Sequence, residues 1–179
     1  LETYMKIAIP QAKKARGRFS PNPLVGSVDV KNCEVVGLGY HHRACSPPAE
    51  INALADAGQK ARNADLYVTL EPCCHHGRTP PCVDAILENK IKNVIIGMTD
   101  PNPLVSGKGA ARLRRAGIGI KGGILEEECR RLNEVYIKYI TRKMPFVTLK
   151  VAATLDGNIA SRTGDSRGIT CGKSLRFVH

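Results

Sequence analysis

The chain has 179 residues, of which 42% are hydrophobic and 24% charged, values that exclude an intrinsically disordered protein. No apolar run approaches the ~20 residues that a membrane-spanning helix requires. The formal net charge of +11 favours an anionic partner, and with five Tyr, three Phe and no Trp there are few stacking groups for single-stranded nucleic acid, so a small phosphate ester is favoured over nucleic acid.

Helical spacing of apolar residues predicts a first helix from about Thr3 to Ala15, interrupted by Pro10. "SPNP" then breaks the chain before a strand-like "LVGSVDV", and a turn at "KNCE" leads into "VVGLGY", so a hairpin is expected. After "SPP", "AEINALADAGQKA" reads as a helix with Ile51, Leu54 and Ala55 on one face. "LYVTL" and "NVIIG" are short apolar runs of the kind that form buried strands, with a helix over "PPCVDAILENK" between them. "GKGAARLRRAG", "IGIKGG" and "LEEECRRLNEVYIKYI" continue as helix, strand and helix. The alternation predicts an α/β layered domain whose largely parallel sheet follows the opening hairpin. The proline of "RKMPF" marks a boundary near residue 145, and residues 146–179 read as the opening of a second domain, since about 35 residues rarely fold alone. The opening "LETYMKIAIPQAKKARG" lacks the uninterrupted apolar core of a signal peptide, so a cytoplasmic protein with no membrane partner is expected.

Chemistry concentrates in "EPCCHHGRTPPC", residues 71–82, which holds three of the seven cysteines and two of the five histidines. Thiolates and imidazoles are the preferred ligands of zinc, and a catalytic zinc uses three protein ligands and keeps a fourth position for water. Cys73 follows a predicted strand and Cys82 opens a predicted helix, where the thiolate form is favoured. A Cys-x8-Cys spacing alone leaves metal binding, buried inert cysteines and redox chemistry all open. The upstream Pro48-Ala49-Glu50 shifts the balance. Zinc nucleobase deaminases carry His-x-Glu and later Pro-Cys-x-x-Cys, with the glutamate shuttling protons. Here Glu50, Pro72 and Cys73 stand in that order, Cys82 comes at a longer spacing, and Pro48 occupies the histidine position.

Together, "SPNPLVG", "GLGYH", "PAEINAL", "YVTLEPCCHHGRTPPC" and "DPNPLVSGKG" resemble the deaminase domain of the bifunctional riboflavin-biosynthesis deaminase/reductases, over residues 3–145. "VTLKVAATLDGNIASRTGDSRGIT" resembles the first stretch of that family's reductase domain. The resemblance implies a three-layer cytidine-deaminase-like fold with a central mixed, largely parallel sheet flanked by helices, a zinc-dependent deaminase domain over 1–145 and a truncated reductase start over 146–179. It implies a phosphorylated diaminopyrimidinone substrate, attacked by a zinc-activated water while Glu50 moves the protons and ammonia leaves. Cys73 and Cys82 would be zinc ligands, and Asn22, His41, Arg78, Asp100 and Asn102 substrate contacts. NADPH enters only with a complete reductase domain, and a homo-oligomer is implied. Asp-Pro-Asn-Pro is also ordinary turn composition, which is the plainer reading of Asp100 and Asn102.

The chain departs from this family at several points. Pro48 has no donor atom, leaving two ligands, with Cys45, Cys74, His42 and His75 the nearest candidates for a third. Asn52 replaces a family histidine, Gly168 a tryptophan, and Asp29 places a carboxylate inside an apolar strand, where burial without a partner is costly. The expectation is weak zinc binding and slow or absent turnover. Competing readings are a tRNA adenosine deaminase of the same fold, a metal-free protein that binds a ribosyl or ribityl phosphate or serves in an oligomer, and a structural zinc site.

Overall fold

A computed structural model of the chain describes residues 1–17, 22–42, 46–76 and 80–178. The elements run α1 (Glu2–Lys13), β1 (Gly26–Lys31), β2 (Glu34–Tyr40), α2 (Ala49–Ala57), β3 (Asp65–Leu70), α3 (Cys82–Glu88), β4 (Asn93–Met98), α4 (Lys108–Arg115), β5 (Gly119–Lys121), α5 (Glu126–Leu132), α6 (Glu134–Arg142) and α7 (Gly172–Val178). The first eleven belong to a unit spanning Leu1–Pro145, and a second unit begins at Phe146.

Five strands form one sheet in the order β2-β1-β3-β4-β5. β1 pairs antiparallel with both β2 and β3, while β3–β4 and β4–β5 are parallel, so the sheet is mixed, with its parallel part confined to the βαβ units. The hairpin turns through Asn32 and Cys33, both at positive φ (50° and 66°), as a two-residue loop that follows the strand twist requires. α1 and α5 cover one face; α2, α3 and α4 cover the other. Between these layers Met5, Val28, Leu66, Val68, Val83, Ile86, Val94 and Met98 are fully buried.

α2 lies unusually close to the sheet. A Cβ on Gly39 would sit 2.1 Å from the Ala49 carbonyl oxygen, and one on Gly37 2.3 Å from that of Ala53. Only glycine on β2 allows this approach, and it turns Ala49, Glu50, Ala53, Leu54 and Ala57 inward. The expected face of Ile51, Leu54 and Ala55 is therefore corrected: Ala55 is exposed and Ile51 half-buried, because small residues rather than large ones set the contact.

Two other expectations change. The single helix foreseen over 125–140 is two helices, broken at Asn133 (φ −112°, ψ 19°), whose side chain is engaged with the backbone of Leu24. The strand-like run after Pro145 forms no strand among the described residues, and α7 is the regular element of the second unit. Pro10 does sit inside α1, on its exposed side, and the helix continues through it. Asp29 is fully buried on β1, and neither of its oxygens nor the neighbouring Ser27 hydroxyl has a hydrogen-bond partner among the described residues.

Candidate active site

Glu50 occupies the first turn of α2 and is only 4% exposed, directed inward by the close packing of that helix on β2. Cys73 lies three residues beyond β3, and Cys82 is the first residue of α3. Two backbone contacts bring these cysteines together: the Val83 amide donates to the Cys73 carbonyl (3.2 Å) and the Cys82 amide to Cys73 Sγ (3.2 Å). The two sulfurs are 3.2 Å apart, within hydrogen-bond reach of each other. The bond from Cys82 holds the Cys73 thiol below its ordinary pKa, whereas the same bond, together with burial, pushes Cys82 well above it. Burial raises the Glu50 pKa, and hydrogen bonds from its own backbone amide and then from the Cys82 thiol partly offset the rise. The three groups thus meet at one place.

A tetrahedral zinc ~2.3 Å from each sulfur needs them ~3.8 Å apart, a widening of about half an ångström that side-chain rotation supplies. The two thiols therefore fit two zinc positions. Pro48, at the N-cap of α2, carries no donor, and no group of three or more His, Cys, Asp or Glu arranged to hold a metal occurs among the described residues. His42 stacks on Tyr40 with ring centroids 4.0 Å apart. Cys45 lies outside the described residues, as does Arg78.

The remaining expected contacts sit on loops at the ends of the strands. His41 directly follows β2, and its amide donates to the Val25 carbonyl (3.3 Å), joining it to the segment that carries exposed Asn22. Asp100 is buried, and its Oδ1 accepts from the Asn102 amide (2.8 Å) and the Tyr136 hydroxyl (2.9 Å). Burial raises the Asp100 pKa, while these two donors and the nearby His75 hold it down. Asn102 Oδ1 accepts from the Leu104 amide, so both side chains also do the turn-forming work their composition suggests. Asn52 donates to the carbonyls of Tyr40 (2.8 Å) and Pro47 (3.1 Å), tying the approach to α2 to the end of β2.

The most consequential residue that sequence reasoning missed is Glu71. Its buried carboxylate accepts from the amides of Asp100 (3.3 Å), Gly107 (2.9 Å) and Ala110 (3.0 Å), fastening the loop of Asp100 and the start of α4 beside the cysteine loop. An acidic residue amid apolar strand residues and prolines was the available signal, since a buried carboxylate requires donors.

Comparison with known proteins places this geometry. The profile of the cytidine and deoxycytidylate deaminase zinc-binding region matches residues 1–98. The riboflavin biosynthesis protein RibD of Aquifex aeolicus is 54% identical over 99% of the chain and 50% of its own length. The Escherichia coli protein of that name is 46% identical, over 99% of the chain and 48% of its own length. A solved Thermotoga maritima structure, a diaminohydroxyphosphoribosylaminopyrimidine deaminase/5-amino-6-(5-phosphoribosylamino)uracil reductase, superposes with a TM-score of 0.91 at 51% identity, covering 99% of this chain and 51% of that one. The chain thus spans about half the length of the curated relatives it matches. A tRNA:A34 deaminase, at 22% identity and a TM-score of 0.59, shares the fold. No helix among the described residues is long and apolar enough to cross a membrane.

Proposed function

The chain belongs to the cytidine and deoxycytidylate deaminase zinc-binding family, and from that membership we propose that it is a deaminase acting on diaminohydroxyphosphoribosylaminopyrimidine in riboflavin biosynthesis. The observation that carries this reading is the convergence of Glu50 and Cys82 with Cys73, the sulfurs 3.2 Å apart. Cys73 and Cys82 would hold the zinc, which when bound supplies Lewis acidity and an activated water near neutral pH. Glu50, shielded from solvent, accepts the first proton of the attacking water and gives it to the ring nitrogen, then takes the proton of the added hydroxyl and gives it to the amine, so that the carbon–nitrogen bond breaks, ammonia leaves and a carbonyl remains; its burial favours the protonated form that each delivery needs. Asn22, His41, Arg78, Asp100 and Asn102 contact the substrate, Arg78 through charge or hydrogen bonding to the nucleotide and Asp100 and Asn102 through ribose hydroxyls. The surplus of positive charge suits such an anion.

Pro48 removes one protein ligand, so zinc is held weakly and turnover is slow. The second unit is the start of a reductase domain, and NADPH binding belongs to that domain when complete. The protein acts in the cytoplasm as a homo-oligomer on a small molecule, without nucleic acid. The test is zinc content and ammonia release for the unaltered chain and for Pro48→His. The substitution should raise zinc to about one per chain and raise activity by more than the roughly 10–100-fold that the outer partners of zinc ligands are worth. Full zinc and unchanged activity before substitution would refute the impairment. A zinc-loaded Pro48→His protein that releases no ammonia would refute the deaminase assignment.

A further inference from the structure

We infer that Asn133 and Tyr136, where α5 meets α6, are positioning residues that set two separate substrate loops from a single helix junction. This rests on the reading of Asn22, His41, Asp100 and Asn102 as substrate contacts.

Asn133 is 2% exposed and lies 109 residues from the chain segment it holds. Its Oδ1 accepts from the Leu24 amide (2.7 Å) and its Nδ2 donates to the Leu24 carbonyl (3.0 Å), so one side chain occupies both backbone groups of one residue, as a neighbouring strand would. Nδ2 also reaches the Cys129 carbonyl at 3.5 Å. Leu24 is two residues from Asn22, the adjacent Val25 carbonyl accepts from the His41 amide, and the Gly26 amide is held by Thr69 Oγ1 (3.1 Å). Fixing Leu24 therefore bears on both Asn22 and His41.

Tyr136, in the first turn of α6, is 8% exposed. Its hydroxyl donates to Asp100 Oδ1, which also accepts from the Asn102 amide. Both donors converge on one oxygen, which fixes the carboxylate plane and leaves Oδ2 as its other acceptor. Asparagine is a poor residue inside a helix, and the break it makes here turns its amide toward Leu24. An apolar pair at 133 and 136 would fill the same space but orient neither loop.

The experiment measures calorimetric binding of the deaminated product, 5-amino-6-(5-phosphoribosylamino)uracil, together with residue-resolved amide hydrogen exchange. Both are applied to the unaltered chain and to Tyr136→Phe, Asn133→Ala and Asn133→Asp. Tyr136→Phe keeps the ring in place and should weaken binding on the order of tenfold, the effect of one hydrogen bond to a charged group, with faster exchange confined to the Asp100 loop. Asn133→Ala should weaken it at least as much, with faster exchange at Leu24 and the His41 amide. Asn133→Asp, which keeps the acceptor for the Leu24 amide, should fall between. Unchanged affinity in folded variants, or exchange that rises uniformly along the chain, would overturn the positioning role. If the unaltered chain binds no product, the substrate reading falls and takes this inference with it.

Discussion

Replacing Asp29 with valine should stabilise the protein, and by an amount that depends on pH. Asp29 sits in β1 with no exposed surface and no hydrogen-bond partner for either oxygen among the described residues. Burial first, then the negative charges of Asp56 and Glu50 on α2, raise its pKa from 3.8 to about 7. The group is thus protonated in the folded chain at pH values where the unfolded chain has already released the proton. Its contribution is most favourable below pH 4, declines as pH rises from about 4, and is fully lost above about 7. At about 1.4 kcal/mol per pH unit, the loss is about 4 kcal/mol, a large fraction of the 5–15 kcal/mol that hold a typical domain together. Urea unfolding of the parent and of Asp29→Val between pH 4.5 and 9 measures it. The difference in stability should grow by about 3–4 kcal/mol across that range and level off above pH 7. A difference that stays flat with pH would show that the carboxyl is solvated or paired in solution, and the reasoning would fail.

Glu71→Ala leaves the amides of Asp100, Gly107 and Ala110 without their acceptor and should cost about 3 kcal/mol or more, read from thermal or urea unfolding. Gly39→Ala drives a Cβ against the Ala49 carbonyl and must push back the helix that carries Glu50; a loss of about 1–3 kcal/mol is expected, with product binding weakened as well. Pro10→Ala restores a missing amide donor on the exposed side of α1, where an interior proline costs about 3 kcal/mol, so unfolding should shift to higher denaturant.

The course of the chain was legible wherever local pattern determines structure. The hairpin follows from alternating residues around "KNCE", the buried strands from "LYVTL" and "NVIIG", and the meeting of Cys73 with Cys82 from prolines and a helix start between them. Glu50 could be read as well, from its place at the start of a helix that precedes the strand leading into the cysteine loop. Asp29 was recognisable as a misfit from its place in an apolar run. The face of α2 was not legible, since it depends on Gly37 and Gly39 of a different element allowing the helix to come within contact of the strand backbone. Nor was the split at Asn133, in a stretch whose helical periodicity runs unbroken. Its amide turns away from the helix because Leu24, more than a hundred residues earlier, offers both halves of a backbone pair. Periodicity and turn chemistry act over a few residues and can be read along the chain. Which buried polar group meets which distant amide is decided when the layers close, because only then does an unpaired donor or acceptor become costly.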